Sequence, residues 1–459
     1  MRQQRPPIVT VLGHVDHGKT TLLDALRKTS VASREAGGIT QGIGATKLIT
    51  PEGAITFIDT PGHAAFSKMR ARGARVADIA ILVVAADDGL MPQTKEAISY
   101  IKQNSLPLIV AFTKVDLPSA NVEKARGQLE AEAIFFEGRG GATPLLEISA
   151  KEGKGVDALI ETILLLAGVT GFTGDAEAPL LATVIETNKD KRGTLVSAVI
   201  KDGKLKVGDE IAAATINARV KGLFDQNNRP VKEAYPGDPV LILGFSAIPG
   251  VGAEITSEKA VKPEQSFSIR RVKIQKGQLP LIIKVQSAGV TEAIISTLPV
   301  GVAVLDSSVG EVTESDVFLA KTSGAIIVAF ESGVPNSVKR LAETEGVGIA
   351  RFSIIYEIGQ FLEAKINEGK KTILGKAEIL AEFPFNKTKV AGCKVAEGRV
   401  HENDKVVLIR GEKELGAAKI VSMRRGRNML KEALAGEECG IILSPLLPFE
   451  KGDILVATK

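Results

Sequence analysis

Tryptophan is absent from this 459-residue chain, tyrosine occurs three times and cysteine twice. Two cysteines, Cys393 and Cys439, cannot build a disulfide framework. That excludes the small stapled folds of secreted proteins and predicts a reducing, cytoplasmic home. Long apolar runs are missing too. The best, Ile79 to Ala86, is far too short to cross a bilayer, and the start Met1-Arg2-Gln3-Gln4-Arg5-Pro6-Pro7 has no apolar leader core, so no membrane role is expected. Neither sign of charge dominates, with 58 Lys and Arg against 54 Asp and Glu. The small excess is local: residues 371–459 carry 16 basic side chains against 12 acidic, the whole of the net +4. Such a balance is compatible with nucleic acid without requiring it. The length implies about three or four domains.

What is present is a phosphate-binding signature. Gly13-His14-Val15-Asp16-His17-Gly18-Lys19-Thr20 lies between a buried strand signal, Ile8 to Leu12, and a helix opening at Lys19. Its glycines let successive N–H groups face the α and β phosphates, and the helix N-terminus adds a positive dipole end. Lys19 is placed to reach the β and γ phosphates, and Thr20, followed by Thr21, to offer its hydroxyl to Mg²⁺.

Residues 8 to 168 alternate β-branched runs with helical patterns, which predicts a doubly wound, mostly parallel sheet. The predicted strands are Ile8 to Leu12, Ala54 to Ile58, Ile79 to Ala85, Leu106 to Thr113 and Leu145 to Ile148. The expected organisation is a P-loop α/β domain over 1–170, a β-barrel over 177–257 and a basic linker over 258–278. An α/β/α sandwich over 279–353, a linking helix over 354–370 and a second barrel over 371–459 follow. The second barrel echoes the first. Ile200-Lys201-Asp202-Gly203-Lys204-Leu205 and Asp209 match Val395-Ala396-Glu397-Gly398-Arg399-Val400 and Asp404 at identical spacing, and Pro236-Gly237-Asp238 pairs with Ala435-Gly436-Glu437.

Further motifs fall after the predicted strands, where ligands of such sheets bind. In Asp59-Thr60-Pro61-Gly62-His63, the carboxylate of Asp59 can hold Mg²⁺ through water and the Gly62 N–H can touch a γ phosphate, contacts that end on hydrolysis. Thr40, in Gly37-Gly38-Ile39-Thr40, can add a second hydroxyl to Mg²⁺. Thr113-Lys114-Val115-Asp116 and Ser149-Ala150-Lys151 select the base: Asp116 accepts from guanine N1–H and N2–H₂, a pair adenine lacks, while the Lys114 stem covers the ring. The site is thus expected to take GTP and GDP. Three of the four histidines, His14, His17 and His63, lie in these motifs, which leaves little reason to read them as a zinc site.

The chain resembles the translational GTPases, and within them the family of bacterial translation initiation factor two. Gly13 to Thr20, Gly37-Gly38-Ile39-Thr40-Gln41 and Asp59 to Phe66 carry the wider likeness; Asp87 to Thr94, Pro230 to Ala234, Glu438-Cys439-Gly440 and the domain order carry the narrower one. The resemblance implies that His63 orients the attacking water and that the ribosome stimulates hydrolysis. It further implies a monomer that acts on both ribosomal subunits, with the last barrel holding formylmethionyl initiator tRNA through Cys393, Arg424, Arg425, Glu438, Cys439 and Gly440. Arg424, Arg425 and Arg427 suit phosphate contacts, whereas the cysteines could equally fill a core.

The pattern breaks at Thr113, where asparagine is usual, at Gly42, where many relatives have histidine, and at Gly426, where an aromatic is common. The chain also begins almost at the first strand, so the family's long N-terminal extension is expected to be missing. Two other readings stay open, an elongator-like GTPase for a specialised aminoacyl-tRNA and a ribosome-binding scaffold that does not hydrolyse its nucleotide.

Overall fold

In the computed structural model, the described residues are 1–27, 44–258, 277–368, 373–385, 388–411, 413–426 and 428–458. Thr40 and Gly42, the basic stretch after residue 258 and Arg427 lie outside them. The described residues form two compact units, Met1–Leu362 and Glu363–Lys459.

The first unit opens on a six-stranded sheet. Its order is 44–50, 53–59, 8–13, 79–85, 108–113 and 145–147. All neighbours are parallel except the hairpin Gly44–Thr50 with Gly53–Asp59. The central strands Ile8–Gly13 and Ile79–Ala85 are buried along their whole length, because helices cover both faces and unbroken apolar runs are what such strands require. Helices α1 (Lys19–Arg27), α2 (Ser67–Val76), α3 (Pro92–Gln103), α4 (Val122–Ala131) and α5 (Val156–Thr170) make the two outer layers. The hairpin strand Gly44–Thr50 is an addition to the strands read from sequence.

An antiparallel barrel follows, built on the long hairpin Leu181–Asp190 with Gly193–Asp202. Next comes a four-stranded parallel sheet, in the order 302–309, 279–285, 326–330 and 349–352, with α6 (Ala288–Thr297), α7 (Glu314–Ser323) and α8 (Asn336–Glu345). Ile349–Phe352 is a strand absent from the sequence reading. These three parts share one apolar cluster. Ile58, Phe66 and Met69 of the first sheet's domain meet Ile185 and Val199 of the barrel, Ile283 and Phe330 of the parallel sheet, and Ile355, Ile358 and Leu362 of α9 (Ile355–Glu368). Barrel and parallel sheet are further joined by Glu186. Its buried carboxylate accepts the Gly289 N–H at 2.9 Å and the Ser287 hydroxyl at 3.2 Å at the start of α6, and burial pushes the carboxyl above its ordinary range.

The second unit is a closed barrel. Strands 373–385, 454–458, 405–410, 413–425, 438–444 and 388–401 pair in that order, and the first pairs with the last. Closure removes every free edge from this ring. Its interior is filled by alternate residues such as Ile379, Val395, Leu408, Ile420, Met423 and Ile441.

Candidate functional site

The phosphate-loop residues gather at the carboxyl ends of the strands of the first sheet. The loop leaves Ile8–Gly13 at a glycine with φ +152°, where a Cβ would stand 2.3 Å from the Val83 carbonyl oxygen, so no other residue fits. Val15 N–H is held by Gln93 Oε1 at 3.2 Å and Asp16 takes φ +61°. Lys19 is buried and its ammonium donates to the His14 carbonyl. Burial pushes Lys19 down to about 8, with Asp59 and Asp16 opposing the shift. Burial of the ammonium disfavours its charge, so an anion reaching it would restore the charged form.

His17 is fully buried. Its Nδ1 accepts the Ala85 N–H at 3.2 Å, its ring meets His14 edge-on at 5.0 Å, and burial lowers its pKa to about 4, so the ring is neutral at pH 7. His14 is lowered likewise, first by burial and then by Lys19. Thr113, the unusual residue at its position, donates its hydroxyl to the His17 carbonyl at 2.6 Å and so still ties the fourth parallel strand to the phosphate loop. The two motifs expected to select the base, 113–116 and 149–151, converge. The Ser149 hydroxyl donates to Asp116 and, with the Asp116 N–H, holds that carboxyl below its ordinary range; Lys151 is near enough to add to the effect. Lys114 sits at φ +56° with its ammonium 3.8 Å from Asp87 and 3.9 Å from Asp88, and Ala150 joins Ser149 to Lys151.

Asp59 is buried at the end of Gly53–Asp59, and Gly62 closes on the loop: a Cβ there would lie 2.4 Å from Lys19 Nζ. His63 caps the short 3₁₀ turn Ala64–Phe66, its Nδ1 accepting the Ala65 N–H at 3.2 Å. The His63 ring lies 5.1 Å from the ring of Tyr356 on α9, and burial, then the Arg70 charge, lower its pKa. Arg70 and Glu96 carry this segment and escaped sequence reading. An arginine in the basic run Lys68-Met69-Arg70-Ala71-Arg72 gives no signal that separates it from a solvated face, yet Arg70 is wholly buried.

In the second unit, Cys393, Arg424, Arg425, Glu438, Cys439 and Gly440 line one cavity of about 590 Å³. Its apolar wall includes Phe383, Pro384 and Ile442. Cys393 and Cys439 face each other across paired strands. Burial raises both thiols, Cys439 to about 11. The Arg425 guanidinium is engaged within the barrel, 2.7 Å from Glu437 and donating to the Glu438 carbonyl at 3.3 Å. Gly426 sits at φ +61° in the tight turn between the paired Arg425 and Asn428, a conformation costly for an aromatic side chain.

Three family models match parts of the chain. Residues 4–168 match the elongation factor Tu GTP binding domain, residues 179–258 elongation factor G domain 2, and residues 253–362 translation-initiation factor 2. Among solved structures, GDP-bound aIF5B from Aeropyrum pernix is 29% identical, with a TM-score of 0.45 over 99% of this chain and 92% of that one. A bacterial selenocysteine-specific elongation factor, EF-Sec, is 17% identical, with a TM-score of 0.46 over 98% of this chain and 58% of that one.

Proposed function

We propose that the chain is a translational GTPase, a factor that places formylmethionyl initiator tRNA on the small ribosomal subunit and promotes joining of the large one; the matches of residues 4–168 and 253–362 support this reading. It works in the cytoplasm as a monomer. The observation that carries the tRNA part is the convergence of Cys393, Arg424, Arg425, Glu438, Cys439 and Gly440 on one cavity with apolar and cationic walls. An apolar wall suits a methionyl side chain, and arginines suit the phosphates of an acceptor end.

GTP and GDP are held by the phosphate loop, with Asp116, Lys114 and Ser149 on the guanine. Thr20 and, through water, Asp59 would hold Mg²⁺ with the oxygen donors that ion selects, and the sequence offers the Thr40 hydroxyl as a further one. That ion, when bound, neutralises charge on the β and γ phosphates. In hydrolysis a water attacks the γ phosphorus and GDP leaves with inorganic phosphate as the second product. Because His63 Nδ1 accepts a backbone N–H, its neutral ring carries the proton on Nε2. It therefore orients the water by donating to it. Dissolution of the γ-phosphate contact at Gly62 then frees the segment after Asp59.

Binding of formylated and unformylated methionyl-tRNA to the full chain tests this. Tighter binding of the formylated form, by about tenfold or 1.4 kcal/mol, is expected. Equal affinities would favour the elongator reading, and ribosomes that left phosphate release unchanged would favour the scaffold.

A further inference from the structure

We infer that Arg70, with Glu96 as its anchor, is a positioning residue for GTP hydrolysis that aims the Gly62 and His63 peptides at the phosphate loop. The inference rests on the reading of His63 as the water-orienting residue. Arg70 is a fully buried side chain on α2, and its Nη1 donates to three successive carbonyls: Pro61 and Gly62 at 3.2 Å each and His63 at 2.5 Å. Three consecutive carbonyls on one nitrogen leave the segment little freedom to turn.

The geometry of the peptide bond gives that clamp a direction. In a planar trans peptide the C=O of one residue and the N–H of the next point opposite ways. Pinning the Pro61 carbonyl to Arg70 therefore turns the Gly62 N–H away from Arg70, and pinning the Gly62 carbonyl does the same for the His63 N–H. The far side is the nucleotide side, since a Cβ built on Gly62 would stand 2.4 Å from Lys19 Nζ and 3.2 Å from Val15 Cα in the phosphate loop. The third bond, to the His63 carbonyl, holds the turn in which the Ala65 N–H engages His63 Nδ1 and sets the ring's tautomer.

Arg70 is itself held. Its Nη2 donates to Glu96 Oε2 at 2.6 Å, and the other oxygen of Glu96 receives the Tyr100 hydroxyl at 2.7 Å and the Ser67 hydroxyl. Glu96 stays charged in this setting. Burial works to raise its carboxyl, but the bonds from Ser67, Tyr100 and Arg70 together outweigh burial and hold it below the ordinary range. A charged anchor on α3 and three acceptors on the switch segment use the fork geometry that lysine lacks.

The test is single-turnover GTP cleavage on ribosomes at saturating nucleotide, with GDP affinity and thermal midpoint measured on the same full-length variants. Arg70→Lys is expected to slow cleavage by about tenfold or more and Glu96→Gln by about threefold or more, both with GDP affinity within about twofold of the parent. Added guanidinium ion is expected to restore part of the rate to Arg70→Ala and none to His63→Ala. If His63→Ala cleaves normally, the reading of His63 falls. If His63→Ala is inactive while Arg70→Lys and Glu96→Gln cleave within twofold of the parent, the inference about Arg70 falls alone. Loss of GDP affinity and melting temperature in step with cleavage, without guanidinium rescue, would reduce Arg70 to a structural clamp and overturn the inference as well.

Discussion

The barrel at 181–256 and the barrel at 373–458 are built with the same local bonds and put one of them to different use. Gly237 N–H donates to the Ile200 carbonyl at 2.7 Å, and Gly436 N–H to the Val395 carbonyl at 2.7 Å. Ile200 N–H returns to the Asp238 carbonyl, and Val395 N–H to that of Glu437. Asp209 receives the Lys206 N–H and Asp404 the His401 N–H, each at 2.8 Å. In the turn itself, Asp238 accepts the Tyr235 N–H and Glu437 the Leu434 N–H, both at 2.9 Å. There the paths part. The remaining oxygen of Asp238 grips Lys47 of the first sheet at 2.5 Å, next to a bond from the Thr56 hydroxyl to the Gly237 carbonyl. The remaining oxygen of Glu437 grips Arg425 of its own barrel, on the cavity wall. One copy spends its turn on docking; the other keeps it for the cavity. The rings differ too: the strand that runs unbroken over Lys413–Arg425 is split in the first barrel into Ile216–Arg219 and Gly222–Phe224.

The largest effect should come from breaking one copy and sparing the other. Gly398 has φ +68°, and a Cβ there would lie 2.3 Å from the Leu374 carbonyl; Gly203 has φ +74°, with Leu180 Cα at 2.6 Å. Gly398→Val should cost about 3 kcal/mol or more through strain and overpacking. Calorimetry should show only the second unit melting early, with GTP cleavage off the ribosome intact, whereas Gly203→Val should lower the first unit's transition.

A smaller effect separates the two turn carboxylates. Asp238→Ala strands a part-buried Lys47 and the Tyr235 N–H and should cost the first unit about 1 to 3 kcal/mol in urea unfolding. Glu437→Ala frees Arg425 and should tighten initiator tRNA binding severalfold in filter-binding assays, with GDP affinity unchanged. Weaker tRNA binding would mean that the ion pair shapes the cavity rather than restrains it.

The units should also differ in acid. His17 is depressed from 6.5 to about 4, so the unfolded first unit binds more protons and its stability should fall as pH drops from 6.5 to 4. Asp453 in the second unit is held low, first by its bond from Arg410, so its contribution should persist until pH falls below 3.8. The three tyrosines, Tyr100, Tyr235 and Tyr356, all lie in the first unit, so tyrosine fluorescence follows that unit alone while calorimetry follows both. His17→Gln should flatten the fluorescence-detected slope. The smallest effect concerns the cysteines: their raised thiols should react slowly with iodoacetamide at pH 8, and slower still with initiator tRNA bound.

Much of the first sheet is legible because two-sided burial demands unbroken apolar runs, as in Ile79–Ala85. The edge strand Gly44–Thr50 is half exposed and carries no such run. Helix α2 carries a weak apolar period, since its buried face includes Arg70 and Gly73 beside Met69. Helix α5 is apolar on much of its surface, with Leu165 and Val169 exposed, so its pattern does not say which face is buried. In the candidate site, the spacing of the motifs holding Lys19, Asp59, Gly62 and Asp116 is legible because each occupies a short stretch of backbone after a strand. The same spacing could not say what replaces asparagine at Thr113; the bond to the His17 carbonyl answers that through a contact 96 positions away along the chain.

By itself the sequence determined the phosphate loop, the motifs at 113–116 and 149–151 and the repeated turns of the two barrels, since each depends on backbone conformations and donors encoded within a few residues. Only the tertiary structure decided which arginine of α2 goes inside, which turn carboxylate holds a neighbouring sheet, and that six residues between 393 and 440 share a cavity. Those outcomes rest on burial and on partners distant in the chain. A charged side chain is buried only where acceptors from several elements converge on it, and no local pattern records that convergence.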